Sequence, residues 1–129
     1  MSVEIVPTPS VKHVSSAPYS PCVRAGDWLI ISGQLGLDPE SGTLVEGVEA
    51  QAEQALRNLA AVVADAGATL NDVAKATIFM TDLGFFAGVN AIYAETFGEH
   101  RPARSTVQVA ALPLEAAVEI EAWVYAPPA

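Results

Sequence analysis

Between Val118 and Tyr125 apolar and polar positions alternate without interruption: Val118, Ile120, Ala122 and Val124 fall on one side, Glu119, Glu121, Trp123 and Tyr125 on the other. A period of two predicts a strand with one face in the core. Two carboxylates and two amphipathic aromatics on its other face point to a covered, functional surface. Residues 28–33 (Trp-Leu-Ile-Ile-Ser-Gly) are apolar on both faces, as in an internal strand. The small residues Ser32 and Gly33 at its end let a ligand or another backbone approach. Further strands are predicted at 3–6, 22–25 and 73–81, and from Arg104 into the alternating run Ser105, Thr106, Val107, Gln108 and Val109. Pro7 and Pro9 make the first of these an edge strand.

From Gly47 to Ala66 the period lengthens. Val48, Ala52, Ala55, Leu56, Leu59, Val62, Val63 and Ala66 form one helical stripe. Glu46, Glu49 and Glu53 complement the start of that helix, and Gly67 is suited to stop it. Asp82 is placed to cap a second helix, with Phe85, Phe86, Val89, Ile92, Tyr93 and Phe97 on a broad face and Gly98 at its end. Loops are expected at 15–21, where Pro18 and Pro21 bracket Tyr19, at 36–42, and as a turn at Leu112-Pro113-Leu114. The element order predicts one domain over residues 1–129, a mixed sheet with both helices on one face.

Composition adds an expectation of assembly. Of 129 residues, 51% are hydrophobic and only 16% charged. That excess of apolar surface predicts a homo-oligomer in which partner subunits bury the bare sheet face. The formal charge of −9, with six basic residues, disfavours nucleic acid and anionic membranes as partners. No apolar run is long enough to span a bilayer, and the start of the chain lacks the features of a secretory signal, so a cytoplasmic location is expected. A lone cysteine, Cys22, excludes an intrachain disulfide.

The candidate chemistry rests on few groups. His13 and His100 do not stand in metal-ligand spacing, no zinc signature or phosphate-cradling glycine loop is present, and Ser32 and Ser105 lack evident His/Asp partners. No metal or other cofactor is expected. What remains is Arg104, whose planar guanidinium can grip a carboxylate through two parallel bonds, and Glu119, which can serve a water molecule. A cross-strand ion pair between them is the plainer reading of the same two residues. Tyr19 fits either a surface ring packed on proline or a pocket wall; Asn90 fits either an exposed helix position or a polar group entering a cleft.

These residues carry a resemblance that extends over nearly the whole chain. Ala17-Pro18-Tyr19, Ile31-Ser32-Gly33-Gln34, Gln51-Ala52, Leu56 with Asn58, Val89-Asn90 with Tyr93, Pro102-Ala103-Arg104-Ser105 and Val118-Glu119-Ile120-Glu121-Ala122 together resemble the RidA/YjgF family of reactive-intermediate deaminases. The resemblance implies a chorismate-mutase-like α/β (α+β) fold, a mixed sheet with two helices on one face. It also implies a barrel-like homotrimer with ligand clefts between subunits. The implied activity is hydrolysis of enamines and imines such as 2-aminoacrylate to 2-oxo acids and ammonia. By position, Arg104 matches the residue that binds the substrate carboxylate and Glu119 the one that positions water. Tyr19, Ser32, Gly33, Asn90 and Thr106 match positions at the cleft. Thr106 stands where many members have cysteine, keeping a hydroxyl but no thiol, and Arg101 stands where many have an aromatic residue. Alternatives from the same residues are a module that binds 2-oxo acids or amino acids without turnover, and a deaminase of an aminomuconate-like substrate. A ribonuclease or translation-inhibitor role fits poorly with the acidic balance and the missing histidine acid/base pair.

Overall fold

The computed structural model describes residues 2–12 and 17–129; His13 and the start of the expected 15–21 loop lie outside them. Among the described residues six strands form one sheet: β1 (Glu4–Ile5), β2 (Cys22–Ala25), β3 (Trp28–Leu35), β4 (Val73–Met80), β5 (Ala103–Gln108) and β6 (Val118–Tyr125), in the order β1-β2-β3-β6-β4-β5. The last strand in sequence thus lies inside the sheet, antiparallel to both β3 and β4. Only β4 and β5 pair in parallel, joined through a helix as a parallel pair requires. The sheet is mixed, and helices α1 (Val48–Asp65) and α2 (Phe86–Phe97) complete the expected α+β fold.

The alternation in β6 becomes its geometry. Val118, Ile120, Ala122 and Val124 are fully buried under the helices, together with Leu29, Ile31, Ala76, Ile78 and Met80. The alanines of α1 at 52 and 55 have no exposure, so the helix backbone lies close to the sheet. At Gly36 the approach is closest: a Cβ there would lie 2.7 Å from the Gln51 backbone. The opposite face has no helix on it among the described residues. Trp28, Trp123 and Tyr125 stand exposed there, with ring centroids 6.1 Å apart for Trp28–Trp123 and 5.2 Å for Trp28–Tyr125, both edge-on.

Three details depart from the sequence reading. β3 does not end at Gly33 but continues to Leu35 across a bulge: Ile31 pairs with Ala122, and the next paired residue, Gln34, meets Ile120. The extra residues leave Ser32 and Gly33 out of the regular ladder and bend the strand beside Glu119. Asp82 caps a 3₁₀ turn at Leu83–Phe85, accepting from the Gly84 amide at 2.7 Å, and α2 starts only after it. The apolar stripe of α1 also includes two buried polar residues, Gln51 and Asn58.

Those two polar side chains reach into the sheet. Asn58 Nδ2 donates to the carbonyls of Leu35 (3.0 Å) and Leu37 (2.9 Å), and its oxygen accepts from Gln54 (2.9 Å). Gln51 Oε1 accepts from the Ala117 amide at 2.8 Å. They bond backbone groups at and just beyond the end of β3 and just before the start of β6. Asn58→Ala removes the side-chain donor from two buried carbonyls, so chemical denaturation should show a loss of about 1–3 kcal/mol. Exchange of the Asn58 side chain for one that restored only volume should not recover it.

Candidate active site

Arg104 lies on β5 in register with Ala76 of β4, and Ala76 with Ala122 of β6. Both alanines are fully buried on the helix side, so Arg104 projects to that side as well. Its guanidinium carbon sits 4.8 Å from the ring centroid of Tyr93 and 5.7 Å from that of Phe86, both on α2. Among the described residues no carboxylate pairs with it; the one ion pair is Arg57–Glu53 on α1. Aromatic faces attract the cation without occupying its donors. The groove that Arg104 enters, about 630 Å³, is also lined by Asn90, Tyr93, Arg101 and Pro102. Two buried side-chain oxygens, Tyr93 Oη and Thr106 Oγ1, have no hydrogen-bond partner among the described residues. Thr106 shares the face of Arg104, being in register with the core residues Ile78 and Ile120.

Glu119 lies between Leu35 of β3 and Phe79 of β4, with Val118 and Ile120 in the core on either side of it. It therefore projects from the sheet face opposite to Arg104. It lines a second cavity, about 460 Å³, with Tyr19, Ser32, Gly33, Leu37 and Lys12. Gly33 makes room for it: a Cβ at that position would lie 2.6 Å from the Glu119 carboxyl carbon. Ser32 is held by its amide on Pro21 O (2.9 Å) and by its hydroxyl on Ser20 O (2.7 Å), which ties the bulge to the loop carrying Tyr19. Burial raises the Glu119 pKa, and repulsion from Glu121 raises it further.

The candidate residues thus divide into two groups on opposite faces. Arg104 and Asn90 line the groove between β5 and α2, with Thr106 on the same face of β5; Glu119, Tyr19, Ser32 and Gly33 gather at the bulge. Arg104 and Glu119 are neither on neighbouring strands nor on one face, so the simple cross-strand ion pair does not form. Tyr93 and Phe86, whose spacing reads as core, are the floor under Arg104. A signal existed for Gln51 and Asn58, polar residues placed inside an apolar helical stripe. His100 Nε2 lies 2.7 Å from Val73 O. No cluster of three metal-ligating side chains occurs among the described residues, and none of their helices is long and apolar enough to cross a membrane.

Residues 10–126 match the family model described as endoribonuclease L-PSP. A 2-iminobutanoate/2-iminopropanoate deaminase from Salmonella typhimurium is 47% identical over 108 residues, 81% of this chain and 84% of that protein. The crystal structure of RidA from an Antarctic Psychrobacter superposes with a TM-score of 0.90 at 43% identity, covering 95% of this chain and 98% of that one. Escherichia coli TdcF with bound serine gives a TM-score of 0.89 at 38% identity, again covering 95% and 98%. The chain belongs to the endoribonuclease L-PSP family, which is the YjgF/RidA family.

Replacing Gly33 with alanine places a methyl group where the Glu119 carboxyl lies. The side chain should swing into solvent, and carbon-13 NMR titration should find its pKa returned toward the ordinary glutamate value; an unchanged titration would contradict the close packing.

Proposed function

We propose that this chain, acting as one domain over residues 1–129, hydrolyses small enamines and imines of 2-amino acids to 2-oxo acids and ammonia. The observation that carries the reading is Arg104: a partly buried guanidinium on an aromatic floor, with no acid of its own chain to neutralise it among the described residues. Such a group is ready for a ligand carboxylate. The names of the 47% identical Salmonella deaminase and of the Psychrobacter RidA support the same chemistry.

In this mechanism Arg104 grips the carboxylate and fixes the neighbouring imine carbon beside a water molecule, replacing a bimolecular encounter. Glu119 accepts a proton from the water as its oxygen bonds to the carbon of the protonated imine. The carbinolamine takes that proton back on nitrogen; as the C–N bond breaks and ammonia leaves, the hydroxyl proton passes to Glu119, the C=O bond of the 2-oxo acid forms, and the departing ammonia carries the proton away as ammonium. An enamine enters the same route after tautomerising to the imine. A protonated imine is electrophilic enough to need no metal for this addition.

Because Arg104 and Glu119 leave opposite faces of one sheet, the reading requires that two copies of the chain build each site. One copy contributes the groove of Arg104, Asn90 and Thr106; its neighbour contributes Glu119, Tyr19, Ser32 and Gly33. The uncovered face bearing Trp28, Trp123 and Tyr125 supports such an assembly, and a homotrimer with clefts between subunits is its simplest closed form. Binding without turnover is a second reading, since the Arg104 groove alone can hold a carboxylate; Glu119 would then be dispensable.

Arg104→Ala should lower kcat/KM for 2-iminopropanoate by about a hundredfold, the loss of one charge-assisted fork, while sedimentation still finds the assembled species. Full activity in that variant would end the proposal. Glu119→Gln should reduce kcat by about a hundredfold or more and affect 2-oxo acid binding less. The carboxylate acts when ionised, and its pKa is raised. Wild-type activity should therefore fall on the acid side at a pH above the ordinary glutamate range, and the glutamine variant should lack that limb.

A further inference from the structure

The groove at Arg104 holds more positive charge than one carboxylate needs. The chain has six basic residues against fifteen acidic ones. Arg57 is paired with Glu53, and Arg24 donates to the carbonyls of Gly26 and Ala126. Arg101 and Arg104, by contrast, line one groove whose other walls are Asn90, Tyr93, Pro102 and alanines, with no acidic side chain. In a chain of net charge −9, two cations without a carboxylate partner among the described residues make a local positive focus that draws anions.

Arg101 is also oriented with donors to spare. It uses one nitrogen, Nη1, on the carbonyls of Gly98 and His100 just past the end of α2. Its Nε and Nη2 have no bond among the described residues. Tyr93 lines the same groove, 5% exposed, and its buried hydroxyl has no partner among the described residues. Burial raises the pKa of that hydroxyl, and the charges of Arg104 and Arg101 both oppose the rise, so both cations act on the same oxygen. The groove therefore presents two guanidiniums and the Asn90 amide to one volume, with the Tyr93 ring in its wall.

We propose that this groove selects acids with two negative charges, the carboxylate beside the reactive carbon on Arg104 and a second, side-chain carboxylate on Arg101. The inference rests on the carboxylate-binding role of Arg104 and names the substrate class: 2-imino and 2-enamino acids related to the acidic amino acids. Arg101 is then a specificity residue. It adds a second ion pair at the mouth of the groove and leaves the reacting atoms to Arg104 and Glu119.

The test uses the full chain and two stable ligands of equal carbon number, 2-oxopentanoate and 2-oxoglutarate, titrated calorimetrically. The wild type should bind 2-oxoglutarate about fivefold tighter, the upper range for a partly exposed ion pair, and the ratio should shrink as salt is raised. The ratio should fall to about one in Arg101→Gln and persist in Arg101→Lys. Equal binding of both ligands, binding of neither, or a preference untouched by Arg101→Gln would overturn the proposal. The corresponding imines, made in place from norvaline and glutamate by an amino-acid oxidase, separate it from the deaminase reading. No turnover of either imine, with the dicarboxylate preference intact, defeats the deaminase and leaves this inference standing. Turnover with equal kcat/KM for both imines defeats this inference alone.

Discussion

Side chains of a strand leave the sheet on alternate faces, and paired residues on adjacent strands share a face. That parity rule governs the candidate site. It sends Arg104 under α2 through its register with Ala76 and Ala122, and sends Glu119 to the bare face through its register with Phe79 and Leu35. A one-residue slip of β5 against β4 would exchange the faces of every side chain on it, putting Arg104 outside and Ser105 against α2. The buried row Ala76, Ile78 and Met80, all nearly without exposure, fixes which face of β4 meets the helices, and the pairing of β5 with β4 passes that assignment to Arg104. The core thus sets the geometry of the charges, and through Tyr93 it also meets the guanidinium.

A cation without an acid costs desolvation, and the structure offsets this in steps. Arg104 is only partly buried, the faces of Tyr93 and Phe86 lie beneath it, and water still reaches the open groove. A closer carboxylate would hold the side chain more strongly and would also occupy the donors a ligand needs. On the other face the means differ. Gly33 leaves space for the Glu119 carboxyl, the bulge bends β3 around it, and Gln51 and Asn58 hold the backbone at both strand ends from the far side of the sheet. Helix α1 therefore serves the Glu119 cavity without supplying any of its lining.

Much of this arrangement was legible in the chain itself. The alternation in β6 was unbroken and named its own core face. The α1 stripe located the helix within a residue at each end. The face on which Arg104 lies was not legible: Ser105, Thr106, Val107 and Gln108 show no apolar side, and only pairing with β4 decides it. The bulge at Ser32 and Gly33 has the sequence of a strand end, because small residues look alike at a terminus and at an irregularity until a partner strand supplies the register. Tyr93 and Phe86 belong to an aromatic stripe that periodicity assigns to the core, and nothing local marks a ring whose other side faces a cation.

The two borders of the sheet are unequal. At β1 the ladder is two residues long and is followed closely by Pro7 and Pro9, which offer no amide to a newcomer. At β5 six consecutive residues pair inward with β4 and have no other strand partner among the described residues. A foreign extended segment would find the backbone donors and acceptors of alternate residues on that flank and far fewer on the other. Enlargement of the ladder is accordingly one-directional, and the newcomer's main chain would come to rest alongside the strand that carries the guanidinium.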